Sequence, residues 1–265
     1  MTGIAEVELR RARWRRALQR EAVDNVDRDD FATAGLGSRL GTPSVRMLLL
    51  PGDPEAEALT LDDELWAWIK NYQVVNIEGA QLRLGIHEVP TAHAAALVHR
   101  QGGHEAWDSY VAIHRSGALE CGLGDCGAWE RRDQDGNIVR TFNLIAIVAR
   151  TWALLKFGTA LRDRTAVDGP FQFTVAVHRT GEAVLGDVGE GWAEPHTWHN
   201  ELPPCGDPHL LWHIELPDWP DENRIRELAF GVGDRLEYGW GVRQRRYLAR
   251  TGHLEGRFDV RKLRE

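Results

Sequence analysis

Residues 111–117 read Val-Ala-Ile-His-Arg-Ser-Gly, and residues 175–181 repeat the pattern as Val-Ala-Val-His-Arg-Thr-Gly. Each copy alternates apolar and polar positions and ends at a Ser-Gly or Thr-Gly pair, which is typical of a strand that enters a hairpin turn. The residues after the two turns also correspond, so the similarity extends over 111–125 and 175–189. The sequence therefore predicts a duplicated hairpin at the centre of the fold.

A long helix is predicted between the two hairpins. Residues 141–161 place apolar side chains at helical spacing almost all the way round, which is typical of a helix buried in a core. The apolar run 45–50 predicts a buried strand before the first hairpin, and the run 209–216 predicts another strand after the second. The amphipathic pattern over 221–238 predicts a closing helix.

The region before the first hairpin carries weaker patterns. Acidic residues follow Thr60, which predicts a helix with Thr60 as its N-cap. Weak alternation over 72–78 and 81–87 predicts a pair of strands, and residues 91–100 resemble a helix. Residues 43–240 are therefore predicted to form an α+β domain. We expect a mostly antiparallel sheet built from two similar hairpin-helix units, with the helices packed on one face.

Two arginine-rich segments flank this domain. Residues 1–42 are predicted to form a helix with a narrow apolar stripe, followed by a polar, glycine-rich linker. Residues 241–265 read as a basic C-terminal tail with few apolar residues. The segment between them is acidic, and the whole chain has a net charge of −8. An acidic body repels nucleic acid, so contacts with phosphates are expected only from the basic ends.

The arginine pattern of the ends is consistent with two roles. Guanidinium groups bind phosphates well, so an arginine-rich helix can act as a nucleic-acid arm. Runs of arginine also occur on solvated linker helices, and the sequence leaves both interpretations open. The candidate nucleic-acid-binding residues are Arg11, Arg15, Arg16, Arg245 and Arg246.

The composition is typical of a soluble globular protein. The 265 residues are 43% hydrophobic and 27% charged, and the three cysteines show no disulfide spacing. The first residues lack the basic and apolar regions of a secretory signal. The longest apolar-rich stretch, 142–155, is interrupted by polar residues. We therefore expect a cytoplasmic protein with no membrane crossing.

A cluster of metal-ligand types lies between residues 187 and 213. Its candidate ligands are His196, His199, Cys205 and His209, and zinc accepts all of these residue types. Neighbouring carboxylates could orient the ligands or act as a general base. The spacing matches no established zinc motif, and eleven histidines in the chain make a local cluster unsurprising. A zinc site and a solvated loop are both open interpretations, and no other cofactor is expected.

The repeated phrase contains two equivalent histidine-arginine pairs. His114 and His178 alternate with the apolar positions, so each lies on the opposite face of its strand. If that face is a groove, His114-Arg115 and His178-Arg179 could bind an anion. The alternative is that the histidines fill matching half-exposed positions of a duplicated unit. No arrangement of nucleophile, base and orienting acid stands out, so the sequence leaves open whether the protein is an enzyme.

The order of these elements resembles the C-terminal region of bacterial proteins that carry a Schlafen-type, AlbA-like DNA-binding domain. The resemblance rests on the arginine-rich helix at 10–20, the strand at 45–50, the hairpin at 110–120, the long helix at 141–161, the second hairpin and the closing helix after a Leu-Pro pair. It involves no catalytic motif. No part of this chain resembles the AlbA-like domain itself, so the resemblance assigns DNA binding to none of its residues.

Two functional hypotheses follow. The resemblance implies a non-catalytic accessory domain that senses a ligand or mediates assembly, with a protein partner or a second copy, in a nucleic-acid-associated regulatory or defence protein. The alternative is a metal-dependent hydrolase, in which a metal held by the 187–213 cluster activates water. Direct nucleic-acid binding by the arginine-rich ends is a third, weaker option.

Overall fold

The computed structural model of the protein describes residues 4–20, 36, 39–41, 43–54, 57–77, 80–100, 107–124, 129–132, 138–165, 167–186 and 205–241. Four helices and twelve strands lie in this described part of the chain. In chain order they are α1 (Ile4–Arg20), β1 (Ser44–Leu50), α2 (Asp63–Asn71), β2 (Val74–Ile77), β3 (Ala80–Arg83), β4 (His87–Pro90), β5 (Ala94–His99), β6 (Ser109–His114), β7 (Leu119–Leu123), β8 (Trp129–Arg132), β9 (Ile138–Asn143), α3 (Leu144–Arg162), β10 (Phe171–His178), β11 (Ala183–Gly186), β12 (His209–Leu216) and α4 (Glu222–Gly239).

A seven-stranded antiparallel sheet forms the centre of the protein. Its strand order is β12-β10-β1-β7-β6-β5-β4, and every described pairing in it is antiparallel. β1 lies in the interior of the sheet, and all seven of its residues are buried. A strand that is buried at every position must be covered on both faces. The predicted α+β class with a mostly antiparallel sheet is therefore confirmed.

The first face of the sheet packs against helices α2, α3 and α4. Val45, Met47 and Leu49 of β1 join side chains of these helices in one apolar cluster. Thirteen residues of α3 are buried, as expected for a helix that is apolar almost all the way round. By length and composition α3 could cross a membrane, and 72% of its most apolar 18-residue window is buried inside the protein.

Short polar side chains fix the beginnings of these three helices. Asp62 accepts a hydrogen bond from the Leu65 amide (2.9 Å), Asn143 from the Ala146 amide (3.1 Å), and Asp221 from the Arg224 amide (2.8 Å). Each acceptor satisfies an amide that lacks a partner within its helix. The N-cap of α2 is therefore Asp62 and not Thr60.

The first predicted hairpin is present. β6 and β7 pair with Ile113 opposite Leu119, and the turn is closed by a hydrogen bond from the Gly117 amide to the His114 carbonyl (2.8 Å). Gly117 has a φ of 80°, a conformation that glycine adopts at little cost. The turn sequence thus fixes the register of the hairpin.

The second predicted hairpin, over 175–189, is wrong. β11 does not pair with β10. It pairs in parallel with β9, in a separate three-stranded sheet. Both edges of β10 are already occupied, one by β1 and the other by β12, so β11 has no edge of β10 to join. Residues 187–189 lie outside the described residues, and the sheet is not built from two equivalent hairpins.

The chain leaves β10 through a different turn from the one after β6. Arg179 is left-handed, with a φ of 56°. Thr180 then bonds to the segment before β12, with its amide donating to the Pro208 carbonyl (3.0 Å) and its hydroxyl to the Asp207 carbonyl. These bonds direct the chain away from β10 and towards β11 in the three-stranded sheet.

The helix predicted over residues 91–100 is also wrong. This segment contains strand β5, which pairs with β4 on one side and with β6 on the other. The alanines of β5 favour helix by intrinsic propensity. Pairing on both edges of the strand overrides that preference.

Helix α1 covers part of the second face of the sheet. Trp14 is 3% exposed and packs with Leu48, Leu50 and Ala118. Arg11 of the same helix donates to a carboxylate oxygen of Glu215 on β12 (3.1 Å). The helix that the sequence suggests as part of a linker is thus docked on the sheet.

Candidate functional site

Charged and polar side chains occupy the middle of the second face. Alternation along β1, β6 and β7 points Arg46, Tyr110 and Glu120 away from the helical core and towards the side covered by α1. Gly122 on β7 stands between Arg46 and Tyr110, because it is the cross-strand partner of both. A Cβ atom at Gly122 would lie 2.3 Å from the Tyr110 ring. The glycine therefore lets Arg46 and Tyr110 meet across β7.

One hydrogen-bonded network joins these three side chains to His114 of β6. Oε1 of Glu120 accepts from Nη2 of Arg46 and from the Tyr110 hydroxyl, the latter at 2.5 Å. Nε of Arg46 also donates to the Tyr110 oxygen (3.2 Å). Oε2 of Glu120 lies 2.8 Å from Nε2 of His114. Each of the four residues is at most 3% exposed, so the network is shielded from water.

The network fixes the ionisation of its members. Burial alone would raise the pKa of Glu120, but the Arg46 charge and the contacts with His114 and Tyr110 outweigh it and lower the pKa to about 2. Burial is the largest cause that raises the pKa of Tyr110 well above its usual value. At neutral pH the site therefore holds an ionised carboxylate and a neutral phenol.

His178 lies beside this network on β10. Its side chain is 5% exposed, and neither ring nitrogen has a hydrogen-bond partner within the described part of the chain. Burial lowers the pKa of His178 to about 3, helped by the nearby positive charge of Arg46 and by His209. His178 is thus a neutral imidazole with one N–H donor and one nitrogen acceptor. Both are buried without a hydrogen-bond partner among the described residues, which is unfavourable for stability.

Other polar side chains follow His178 along the same face of β10. The Thr174 hydroxyl is buried without a hydrogen-bond partner among the described residues, and so is Oε1 of Gln172. Nε2 of Gln172 donates to Glu215 (2.5 Å). The second face is therefore polar along β10, whereas the first face of the same strand is apolar.

The two predicted histidine-arginine pairs do not form one site, although both histidines lie on the second face. Both histidines lie on the face that alternation predicts, and both are buried rather than half-exposed. His114 packs edge-on against Trp14 with ring centroids 5.3 Å apart. Arg115 instead donates to the Ala92 carbonyl (2.8 Å), and Arg179 occupies the left-handed turn. Because β1 and β7 separate β6 from β10, the two pairs do not form one symmetric groove.

The four candidate metal ligands are spread over different surroundings. Cys205 is buried in the helical core, where its thiol donates to the Gly239 carbonyl (3.1 Å). His209 lies on the second face, with its ring centroid 6.0 Å from that of His178. His196 and His199 lie outside the described residues. Within the described residues, no group of three or more potential ligands is placed to hold a metal ion.

The candidate nucleic-acid-binding residues also differ in exposure. Arg11 is 4% exposed, and its guanidinium contacts Glu215 and the Pro170 carbonyl (3.2 Å). Arg15 is half-buried and Arg16 is exposed. Arg245 and Arg246 lie outside the described residues. A nucleic acid could contact Arg11 only if its internal bonds opened.

Sequence reasoning missed Arg46, Tyr110 and Glu120. One signal was available, because Arg46 is the single charged residue in an apolar strand and Glu120 follows Ala118-Leu119 in another. Lone charges of opposite sign in buried strands favour an ion pair. Their register, which brings them together, depends on pairing between strands far apart in the chain.

Comparisons with known proteins give no relative from which a role could be assigned. No protein-family model, curated protein or solved structure matches this chain. The function is therefore inferred from the chemistry of the second face.

Proposed function

We propose that this chain is a non-catalytic accessory domain that senses a ligand on the second face of its sheet, within a nucleic-acid-associated bacterial regulatory or defence protein. The association with nucleic acid is supported only by the resemblance in the order of elements. The ligand-sensing part is supported by one observation: a buried His178 with two unsatisfied ring nitrogens lies next to the network of Arg46, Glu120, Tyr110 and His114.

Burial of these charges is poorly explained by stability alone. Removing a carboxylate and a guanidinium from water costs several kcal/mol per ion, and the attraction between them repays this only with good geometry. Apolar side chains of similar volume are often at least as stabilising at such positions. A buried charged network beside polar groups without partners in the described part of the chain is therefore a candidate binding site.

The ionisation states favour binding over acid-base catalysis. A general acid or base works best when its pKa is near the working pH. Instead, the pKa is about 2 for Glu120, about 3 for His178 and well above its ordinary value for Tyr110. Both oxygens of Glu120 are already engaged by neighbouring side chains. These groups keep a fixed protonation state near neutral pH, so they are suited to bind a ligand rather than to exchange protons with it.

A thermal-shift screen of small ligands tests the proposal. A ligand that binds only the folded state raises the melting temperature, and the rise should be lost in His178→Ala. His87→Ala is the matched control, because His87 is exposed on β4 at the opposite edge of the sheet. Turnover of a substrate that disappears when His196 or His199 is replaced would contradict a non-catalytic role.

A metal-dependent hydrolase is the second candidate. It would use the cluster at 187–213. One observation favours it: His209 of that cluster lies near a second imidazole, that of His178, at a centroid distance of 6.0 Å, and imidazole is a common zinc ligand. Elemental analysis of the purified protein decides between the two functions. Near-stoichiometric zinc that is lost in the His196→Ala/His199→Ala double variant would support the hydrolase, and the absence of zinc in both samples would count against it.

A further inference from the structure

Three side chains stand side by side at one end of the second face. Ser44 of β1 is the cross-strand partner of His178 on β10, and His178 is the partner of His209 on β12. Directly paired residues of antiparallel strands point to the same face, and the two imidazole rings are indeed close. We call Ser44, His178 and His209 the β10 row.

The β10 row runs from the interior of the protein to its edge. Ser44 and His178 are each 5% exposed, whereas His209 is half-buried on the edge strand β12. A small ligand could therefore enter beside His209 and reach the unsatisfied nitrogens of His178. Because neither nitrogen has a partner among the described residues, a ligand that bonds to one of them would relieve the unfavourable burial of that polar group.

The charges around the β10 row favour an anion over a metal cation. Arg46 lies two residues along β1 from Ser44, and its positive charge together with His209 lowers the pKa of His178 further than burial alone. Nearby Glu120 is already bound to Arg46, Tyr110 and His114. Glu120 offsets part of the field of Arg46, but the fixed charge that acts on His178 is that of Arg46, so a cation there would be repelled and an anion attracted.

The donors of the β10 row suit a tetrahedral anion. They come from three neighbouring strands, which lie about 4.8 Å apart, and they comprise one hydroxyl and two imidazole groups. Phosphate offers acceptor oxygens in several directions, whereas a carboxylate offers two oxygens in one plane. The match therefore favours a phosphate group.

We propose that the β10 row binds a phosphate group, either as the free ion or as part of a small phosphorylated ligand. Ser44 and one ring nitrogen of His178 donate to its oxygens, His209 closes the site at the edge, and Arg46 contributes positive potential. The inference rests on the ligand-sensing function proposed above and names the class of ligand.

Isothermal titration with inorganic phosphate on the full chain tests the inference. We expect saturable binding that weakens at least 10-fold in His178→Gln and in Ser44→Ala, and that is unchanged in His87→Ala. Two variants are used because one substitution at a buried site could impair folding, which circular dichroism would reveal. Sulfate should compete with phosphate, whereas acetate at the same ionic strength should not.

The outcomes separate this inference from the proposed function. Binding of phosphate that is unchanged in both variants would place it elsewhere and overturn the inference. No binding of phosphate, together with stabilisation by another ligand in the thermal-shift screen, would overturn the phosphate assignment and leave ligand sensing intact. No stabilisation by any ligand would overturn both. A phosphorylated metabolite that binds more tightly than free phosphate would show that the site recognises a larger ligand.

Discussion

Arg46 and Glu120 illustrate how far single side chains depend on their partners. Both are buried, and they bond to each other and to Tyr110. Breaking such a pair leaves a charge buried without compensation, which is far more costly than the net contribution of the pair. The stability of the second face is therefore sensitive to single substitutions in the network.

We predict that Arg46→Met lowers the free energy of unfolding by about 3–5 kcal/mol. The double variant Arg46→Met/Glu120→Leu should recover part of this loss, because it removes both charges, although Tyr110 and His114 lose a partner. Urea unfolding at pH 7 measures both values. Arg224→Met serves as control, because Arg224 pairs with Glu227 on the surface of α4, where an ion pair contributes about 1 kcal/mol or less. Equal losses in the control and in Arg46→Met would contradict the network.

The protein should also lose stability as the pH falls below about 6.5. His178 has a pKa of about 3 in the folded protein and about 6.5 in the unfolded chain. Between these values the folded state binds fewer protons, so stability rises with pH by up to ~1.4 kcal/mol per pH unit. The groups that face His178 are Arg46 and Ser44 on β1 and His209 on β12.

Glu120 affects stability in a lower pH range than His178, so the two contributions to the pH dependence can be separated. Its pKa falls from 4.5 to about 2 on folding, so the stability that it provides is complete above about pH 4.5 and is lost between there and pH 2. Glu120 therefore contributes little to the pH dependence of urea unfolding between pH 7 and 4.5, where histidines titrate. The part due to His178 is the difference between the unchanged protein and His178→Gln, in which the dependence should be flatter. An unchanged slope in the variant would contradict a buried neutral His178.

For single residues, the sequence predicted the face of the strand on which a side chain lies but not the residues that it contacts. Alternation placed His114 and His178 on the correct face of their strands, because the side-chain period of a strand is local. It could not pair His114 with Glu120 and His178 with Ser44, because these contacts depend on register. The docking of Trp14 beside His114 depends on a helix about 100 residues away in the chain.

The two copies of the repeated phrase show that similar elements can have different fates. Both form a strand that ends in a histidine, and the strand, the long helix and the closing helix were all predicted from local periodicity. Only the first copy folds back on itself. The second cannot, because both edges of β10 are taken by strands from distant parts of the chain. Edge occupancy is a property of the whole sheet and leaves no signal in a short segment.

Two glycine-to-alanine substitutions test the turn and the closing helix. Gly117→Ala should destabilise the protein by about 1–2 kcal/mol or more, because Gly117 has a φ of 80° and a Cβ atom there would lie 2.5 Å from Val167. Gly231→Ala should stabilise it by about 0.5–1 kcal/mol, because Gly231 lies within α4 with no atom near its Cβ position. Thermal unfolding measures both. Shifts of the same sign would contradict this account of the two sites.

At the scale of the molecule, α1 belongs to the folded unit. The composition and the periodicity of the sequence were sufficient to predict the α+β class, but the arginine-rich helix resembled a linker because its apolar stripe is narrow. The structure uses that stripe, since Trp14 packs against Leu48 and Leu50 of β1 and against Ala118 in the turn before β7. Arg11 reaches β12 from the same helix.

Trp14→Ala is therefore expected to destabilise the whole protein by about 3–5 kcal/mol, as for other buried tryptophans. Leu9→Ala is the matched control, because Leu9 lies on the same helix and is 50% exposed, and it should change stability by about 1 kcal/mol or less. Chemical unfolding followed by both fluorescence and circular dichroism measures the effect. If the two variants behave alike, α1 is not docked in solution.

The interior position of β1 has a consequence for synthesis on the ribosome. β1 spans Ser44–Leu50, but its neighbours β7 and β10 end at Leu123 and His178. At elongation rates of about 5–20 residues per second, the nascent strand waits on the order of ten seconds for its second neighbour. Once β7 has emerged, β1 can pair with it, but the other edge of β1 stays open until β10 is made. We therefore expect nascent chains that end between β7 and β10 to be bound by chaperones and cleaved readily by protease. Stalled ribosome complexes of increasing length would show protection appearing only after β10 has emerged, and earlier protection would mean that β1 finds a temporary cover.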